Sequence, residues 1–556
     1  MLTRVHLKAP QEDRTALIDP PWESLGPLLS ANREQSSHQR LELLGRSSAD
    51  IAREARRELI RDAYHYTHWS ADIPAELRDA PVVMAGHQPE LFHPGVWFKN
   101  FALDALARQQ RAVGINLIVD SDTLRTPSLR VPGGSIASPT ARAIPFDAPG
   151  PELPYEERLI QDPAMFASFG NRVAAELAPL VPDPLIKQLW PLVSEQMQHC
   201  VVGYCLARGR RLLEAAWGLT TLEIPQSHIC ESRAFKWFAA HLLADLPRFH
   251  EIYNAVVDEY RRINRIRSVN HPVPKLERDD DWFEAPFWIW RSLEPRRRRV
   301  FVRRQGPELI VSDRADVQAR LPLTGDPSRM FDALMHLHGP GLSVKLRTRA
   351  LITTMWARLF LSDLFLHGIG GAKYDQLTDE IIRRFFGCEP PRYATISATL
   401  HLPIERPMRR HAPQSGLCDP ATCHTATPLL TYPDELHAIE RRLRELTFHP
   451  EALIDREDLP AAQATQVDPL ISDKAGWIAT PSTRGNAKLR CQSIRAANQK
   501  LQPFVELLRL ESQTQREQAG RQAQAETVLA SREYSFCLYP EQSLRDFMLE
   551  IHSHRP

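Results

Sequence analysis

The sequence predicts an α/β protein built on a parallel sheet, with a helical insertion and a helical C-terminal region. Three observations carry that expectation. PVVMAG, VWFKNFALDALARQ and INLIVDSD follow one another as strand, helix and strand between residues 81 and 122, the βαβ order that builds parallel sheets. A second series of helix, apolar strand, glycine turn, helix and strand runs through RTRALITTMWARLFLSDLFL, HGIGGAKY, DQLTDEIIRRFFG and ATISATLHL. Helical periodicity dominates residues 150–275 and much of 405–556.

Residues 1–75 read as an N-terminal helical segment, clearest from Ser47 to Tyr66, where apolar positions recur at helical spacing. Residues 76–149 form the first half of the core. Residues 150–275 form the insertion, whose longest helical stretch, AFKWFAAHLLADLPRFHEIYNAVVDEYRRINRI, is interrupted at Pro247. From 276 to 330 the chain is strand-rich: APFWIWR, then RRVFVRR and ELIVSD joined by a turn at Gln305-Gly306-Pro307. Residues 331–404 supply the second half of the core, with Gly387 as the cap of its helix. In the region 405–556, Leu436, Ile439, Leu443 and Leu446 repeat with 3-4-3 spacing, which suits a coiled-coil seam or a plain amphipathic helix equally. A long polar helical stretch runs from about Ala487 to Ala530 with Pro503 inside it. Pairing of such helices would suit a homodimer.

The bulk numbers exclude several classes. The 556 residues are 43% hydrophobic and 25% charged, ordinary globular usage. With 69 basic and 68 acidic residues the net charge is +1, so no overall field draws the chain to nucleic acid or membranes. The first residues, MLTRVHLKAPQEDR, lack the apolar stretch of a secretory signal, and no apolar run is long enough to span a bilayer. Eight cysteines scattered through so long a chain read as reduced cytoplasmic thiols rather than a disulfide scaffold. GxSxG, HExxH, Walker-type and GxGxxG motifs are absent.

Chemistry is expected at two loops. In GHQPELFHPGVWFKN (86–100) a strand feeds a helix through a tight turn, which presents backbone N–H groups to an anion. His87, Gln88 and His93 flank it, Lys99 lies a turn into the helix, and Asp120 and Asp122 end the next strand. The two histidines would stabilise charge on a phosphate, and either aspartate would orient substrate or act as a base. Taken singly, each histidine is also well explained as a loop residue bonded to backbone. The second loop, Gly368 to Tyr374, has three glycines that let a ligand approach the backbone. Lys373 would meet a phosphate or carboxylate, and Tyr374 would stack or donate a hydrogen bond. The run Arg296–Arg304 with nearby Trp282, Trp288 and Trp290 would fit nucleic acid, though a charged edge strand is the commoner meaning. Cys418, Cys423, His424 and His411 have spacing looser than structural zinc pairs and read as a surface loop, so no metal is expected. The same holds for Asp279, Asp280 and Asp281, read as a solvated charge run.

These motifs resemble a known family. VVMAGHQPELFHPGVWFKNFALDALA is similar to the GQQxGLxxGPLYTxxKxxxAxxLA segment of the bacillithiol-biosynthesis cysteine-adding enzymes. NLIVDSD falls where that family has an acidic EDHD-type strand end. FLHGIGGAKYDQL resembles its YVGGPGEIAYWAQL, RYATISATL its PRxSATL, and REYSFCLYPEQSLRDFML its final segment, all in the same order. Gly86, Gln88, Gly95, Lys99, Asp122, Gly368, Gly370, Tyr374 and Gln376 occupy matching positions. His87 replaces a usual Gln, VDSD replaces EDHD, and Gly371 replaces an acid. The resemblance implies a Rossmann-like core, a coiled-coil region that can support dimerisation, adenine-nucleotide binding, and addition of cysteine to the amine of a glucosaminyl-malate. The expectation is thus a divergent ligase-like enzyme that joins a small amine to a carboxylate, or carries out a related nucleotide-dependent transfer. A non-catalytic nucleotide-binding or scaffold protein is the alternative, and nucleic-acid binding through Arg296–Arg304 a weaker one.

Overall fold

The computed structural model describes residue 2 and residues 7–267, 273–323, 325–339, 342–404, 432–456 and 459–553. The chain divides into two compact units: residues 1–131, 142–403 and 532–556 form the first, and 132–141 with 404–531 the second.

The first unit holds a mixed six-stranded sheet. Its strands are β1 (Thr15–Asp19), β2 (Val82–His87), β3 (Val113–Ile118) and β4 (Leu222–Pro225). The remaining two come much later in the chain, after a second sheet: β5 (Trp282–Arg291), β6 (Glu294–Gln305), β7 (Glu308–Ser312), β8 (Gln318–Pro322) and β9 (Leu342–Thr348) belong to that sheet, which is antiparallel and seven-stranded. β10 (Leu364–His367) and β11 (Ala394–Thr399) then complete the first sheet. Its order is β4-β3-β2-β10-β11-β1; β1 alone runs antiparallel. Strand order therefore reverses between β2 and β10.

The strands expected in PVVMAG, INLIVDSD and ATISATLHL are present as Val82–His87, Val113–Ile118 and Ala394–Thr399. One expectation needs correction: the helical insertion 150–275 also supplies β4. Within TTLEIPQ only Leu222–Pro225 is strand, four residues between two helices and too short for periodicity to register. Likewise the N-terminal segment contains β1, and VKLRT belongs to the second sheet rather than to the parallel core.

β2 is buried on both faces. Val82 and Met84 join a continuous apolar core with α1 (Ser48–His68) and with Phe287, Ile289 and Leu346 of the second sheet. Helix α2 (Pro94–Gln109) packs against the sheet through β2, β3 and β11. Its Trp97 meets Phe536 at 4.2 Å and Trp217 at 5.1 Å between ring centres, an aromatic cluster whose burial contributes several kcal/mol, at about 1.5–3 per large side chain. α2 begins with Pro94, and the His93 ring nitrogen Nδ1 accepts from the Gly95 N–H at 3.1 Å. Pro at the first position fixes φ without losing a bond.

In the second unit, α3 (Tyr432–Phe448) packs against α6 (Glu506–Leu529), and α4 (Ala461–Ala479) against α5 (Ala487–Leu501). Leu446, Val467, Leu501 and Val505 form its buried core, with Leu443 half-buried beside them. Pro503 divides the polar helical stretch into α5 and α6 through a short 3-10 turn at Gln502–Val505, because proline cannot donate inside a helix. Among the described residues, no helix is long and apolar enough to cross a membrane. Cys418, Cys423, His424 and His411 lie outside the described residues.

Candidate functional site

The parallel register sets what meets at the carboxyl edge. His87 lies level with Ile118, and Ile118 with Pro225. Two residues further on, Asp120 meets Ser227: Oδ1 accepts from the Ser227 N–H at 2.9 Å and Oδ2 from its hydroxyl at 2.5 Å. Both residues line a cavity of about 420 Å³ with Glu156, Arg347, Lys345 and Tyr66. Burial, and then the Glu156 carboxylate, raise the Asp120 pKa to about 7. Arg347 holds Glu156 with two bonds, 2.8 Å and 3.0 Å, and reaches Glu231 at 2.6 Å. Lys345 binds Glu157 at 2.6 Å. The cavity thus presents both signs of charge around a carboxyl that exchanges its proton near neutrality.

Asp122 points elsewhere. It accepts from Gln88 Nε2 at 2.9 Å and from Arg297 at 3.0 Å, and those bonds hold its carboxyl below the usual range against the opposing effect of burial. The two aspartates expected to act at one point are therefore divided between two environments, Asp120 as a near-neutral acid and Asp122 as a fixed anion.

The expected histidine pair does not assemble there. His87 lies edge-on to Phe92 at 5.0 Å, with Nδ1 3.2 Å from the Gln88 carbonyl. Burial, helped by the Lys99 cation, pushes its imidazole down to about 3, so it is neutral at physiological pH. His93 caps α2, and its Nε2 is 3.7 Å from Glu533. Neither lines the Asp120 cavity. Lys99 donates to the Gly86 carbonyl at 2.7 Å from a buried position. A Cβ on Gly95 would lie 2.2 Å from the Ala398 carbonyl oxygen, and one on Gly86 3.2 Å from Leu117. Gly95 and Gly86 thus meet packing constraints, and Lys99 bonds the backbone.

Across the order reversal, α7 (Ile369–Ile381) starts directly after β10, with Gly368 at its N-cap and no side chain capping it. A Cβ on Gly368 or Gly370 would meet nothing within 4 Å, whereas one on Gly371 would lie 2.8 Å from His367 Nδ1. The first two leave room for a phosphate against the helix start. A side chain at 371 would require the His367 ring to shift. Tyr374 packs against the main apolar core and Lys373 is half-buried beside it, so neither reaches the Asp120 cavity. Below the turn, Asp375 bonds buried His367 at 2.8 Å, buried Arg358 at 2.5 Å and half-buried Thr354 at 2.6 Å. The Arg358 and His367 charges hold the Asp375 carboxyl far below its ordinary value.

Sequence reading missed Ser227, Glu156, Arg347, Lys345 and Gln226. The one local signal was the alternation in VKLRT, which puts Lys345 and Arg347 on one side of β9 and Leu346 in the core. The arginine run is not a free basic face. Arg297 pairs with Asp122, Arg298 with Asp313 and Asp316, Arg299 with Glu277, and Arg303 with Asp281. Among the described residues, no cluster of three or more His, Cys, Asp or Glu side chains could hold a metal. The chain matches no protein-family model and no curated protein.

Proposed function

We propose that the protein is a ligase-like enzyme that joins a small amine to a carboxylate at the carboxyl edge of a Rossmann-like sheet. The observation that carries this reading is Asp120, a buried carboxyl titrating at about 7 in a cavity that also holds Arg347 and Lys345. An amine arrives as an ammonium and becomes a nucleophile only after losing a proton. Asp120 is matched to accept it, because a base works best with a pKa near the operating pH. Asp120 takes one proton from the ammonium, and the freed nitrogen lone pair forms the new C–N bond at the activated carboxyl carbon. The C–O bond to the activating phosphoryl or adenylyl group breaks, that group leaves as phosphate or AMP, and the second N–H proton passes to the leaving group or to water. Arg347 and Lys345 would orient the oxyanion.

The strand order supports the Rossmann-like reading: in chain order the parallel strands lie 3-2-1-4-5, and ligands of such sheets bind where the order reverses. The order of motifs shared with the cysteine-adding enzymes supports the same class. Gly368 and Gly370 fit a nucleotide's phosphates, and a bound nucleotide would supply the activation of the carboxylate. That turn lies two strand spacings from β3, roughly 10 Å, within reach of one extended substrate. The competing reading, a non-catalytic nucleotide-binding or scaffold protein, draws on one observation: His87 and His93 are both committed to internal contacts.

Turnover of ATP with a panel of amines and carboxylates, followed by ADP and AMP release, separates the two. The wild type is expected to release product with at least one pair, and Asp120→Asn to bind nucleotide with turnover lowered about 100-fold or more. No turnover with any pair, or undiminished turnover in Asp120→Asn, would overturn the proposal.

A further inference from the structure

A second cavity, of about 330 Å³, lies back to back with the first. Three short stretches of chain line both, and neighbouring residues on each face opposite ways. Asp120 lines the first cavity and Ser121 the second; Ser227 the first and Gln226 the second; Arg347 the first and Thr348 the second. Arg347 and Thr348 are successive residues of β9, whose extended backbone sends their side chains to opposite sides. The other two pairs, in the turn after β3 and at the start of the short helix after β4, divide between the cavities in the same way, so a wall one residue thick separates the two spaces.

The second cavity carries one more cation than anions. Arg297, Arg299, Arg349 and Lys275 line it together with Asp122, Glu277 and Glu284, of which Glu284 pairs with Arg349, Glu277 with Arg299 and Asp122 with Arg297. Trp288 carries the Arg297 guanidinium at 4.4 Å and that of Arg349 at 4.3 Å from its ring centre, which fixes both cations. Burial lowers the Arg297 pKa against the opposing charge of Asp122, and the like charges of Arg349 and Arg125 add to the lowering. Two polar atoms of the lining are buried and without partners: Arg349 Nε, a donor, and Gln226 Oε1, an acceptor. Gln226 is 2% exposed, and its amide nitrogen is already used on Thr348 and Thr353. An acceptor left open so deep in the protein calls for a donor from a ligand.

We propose that this cavity is a separate binding site for a small molecule carrying an oxyanion, carboxylate or phosphate, next to a hydroxyl or amine donor. The oxyanion is met by Arg349 and Arg297, and the donor by Gln226 Oε1. The site does not depend on the ligase reading, since its residues lie across the wall from Asp120.

Thermal shift and calorimetry on the full chain with acetate, glycolate and inorganic phosphate test this at millimolar concentrations. Glycolate is expected to bind at least about tenfold more tightly than acetate, which lacks the donor. Phosphate outcompeting glycolate would assign the oxyanion as phosphoryl, and the reverse as carboxylate. Arg349→Gln should abolish binding, and Gln226→Glu, which keeps the shape and adds a negative charge, should weaken it at least about tenfold. Circular dichroism confirms that each variant folds, and Asp120→Asn should bind these probes unchanged. The proposal is overturned if no probe binds, if glycolate and acetate bind alike, or if both variants bind as the wild type does.

Discussion

Replacing Asp120 by Asn tests the electrostatics of the site apart from its chemistry. Asn keeps the shape: its oxygen still accepts from the Ser227 N–H, and its amide nitrogen donates to the serine oxygen, whose hydroxyl turns round. What is lost is the charge. Burial and Glu156 raise the wild-type pKa from 3.8 to about 7. Three pH units correspond to about 4 kcal/mol between folded and unfolded states. Because the folded-state value is the higher one, the folded protein binds more protons between these limits. Its stability is fullest below about pH 4 and falls as pH rises through 7. The loss is shared with Glu156, so the stability difference between variant and wild type should shift toward the variant by about 2–4 kcal/mol from pH 4 to pH 8. Urea denaturation of both proteins at several pH values in that range reads it directly. A difference that does not change with pH, or that shifts toward the wild type as pH rises, would show that Asp120 is not the strained carboxyl described here.

Three further outcomes follow from the packing. Asp375→Asn leaves the buried Arg358 short of its main partner and should cost about 3–5 kcal/mol, visible as a large drop in Tm; a loss below about 1 kcal/mol would contradict the ion-pair account. Gly95→Ala drives a methyl toward the Ala398 carbonyl and should cost about 1–3 kcal/mol, whereas Gly370→Ala faces open space and should change stability by less than about 1 kcal/mol; thermal melts of the two variants should separate clearly. Burial lowers Lys99 to about 8, so the wild type should gain stability as pH rises from about 8 to 10.5. Lys99→Met should remove that gain, and a melt series that still rises in the variant would assign it to another group.

Much of the fold was legible because it is local. PVVMAG is a continuous apolar run of strand length, ATISATL alternates apolar residues with Thr and Ser, and the glycine expected to cap its helix, Gly387, takes the left-handed φ of 70°. The partners of the arginine run were not legible, for the opposite reason. Its charges are obvious in sequence, but the acids that pair with them come from Asp122, Glu277, Asp281, Asp313 and Asp316, brought in by strand pairing. The surroundings of His87 and His93 were not legible, because a histidine's state depends on distant neighbours: Phe92 and Lys99 make one a neutral buried side chain, and the other is a helix cap facing Glu533.

By itself, the sequence determined the βαβ order, the two turns and the presence of Asp120 and Asp122 at a strand end, because hydrophobic period and turn chemistry act over a few residues. Only the tertiary structure decided what those aspartates do. Ser227 reaches Asp120 across 107 residues, and Arg347 reaches Glu156 across 191. Desolvation and charge pairing depend on these long-range neighbours, so the chemistry of the site emerges only when the sheet edge closes.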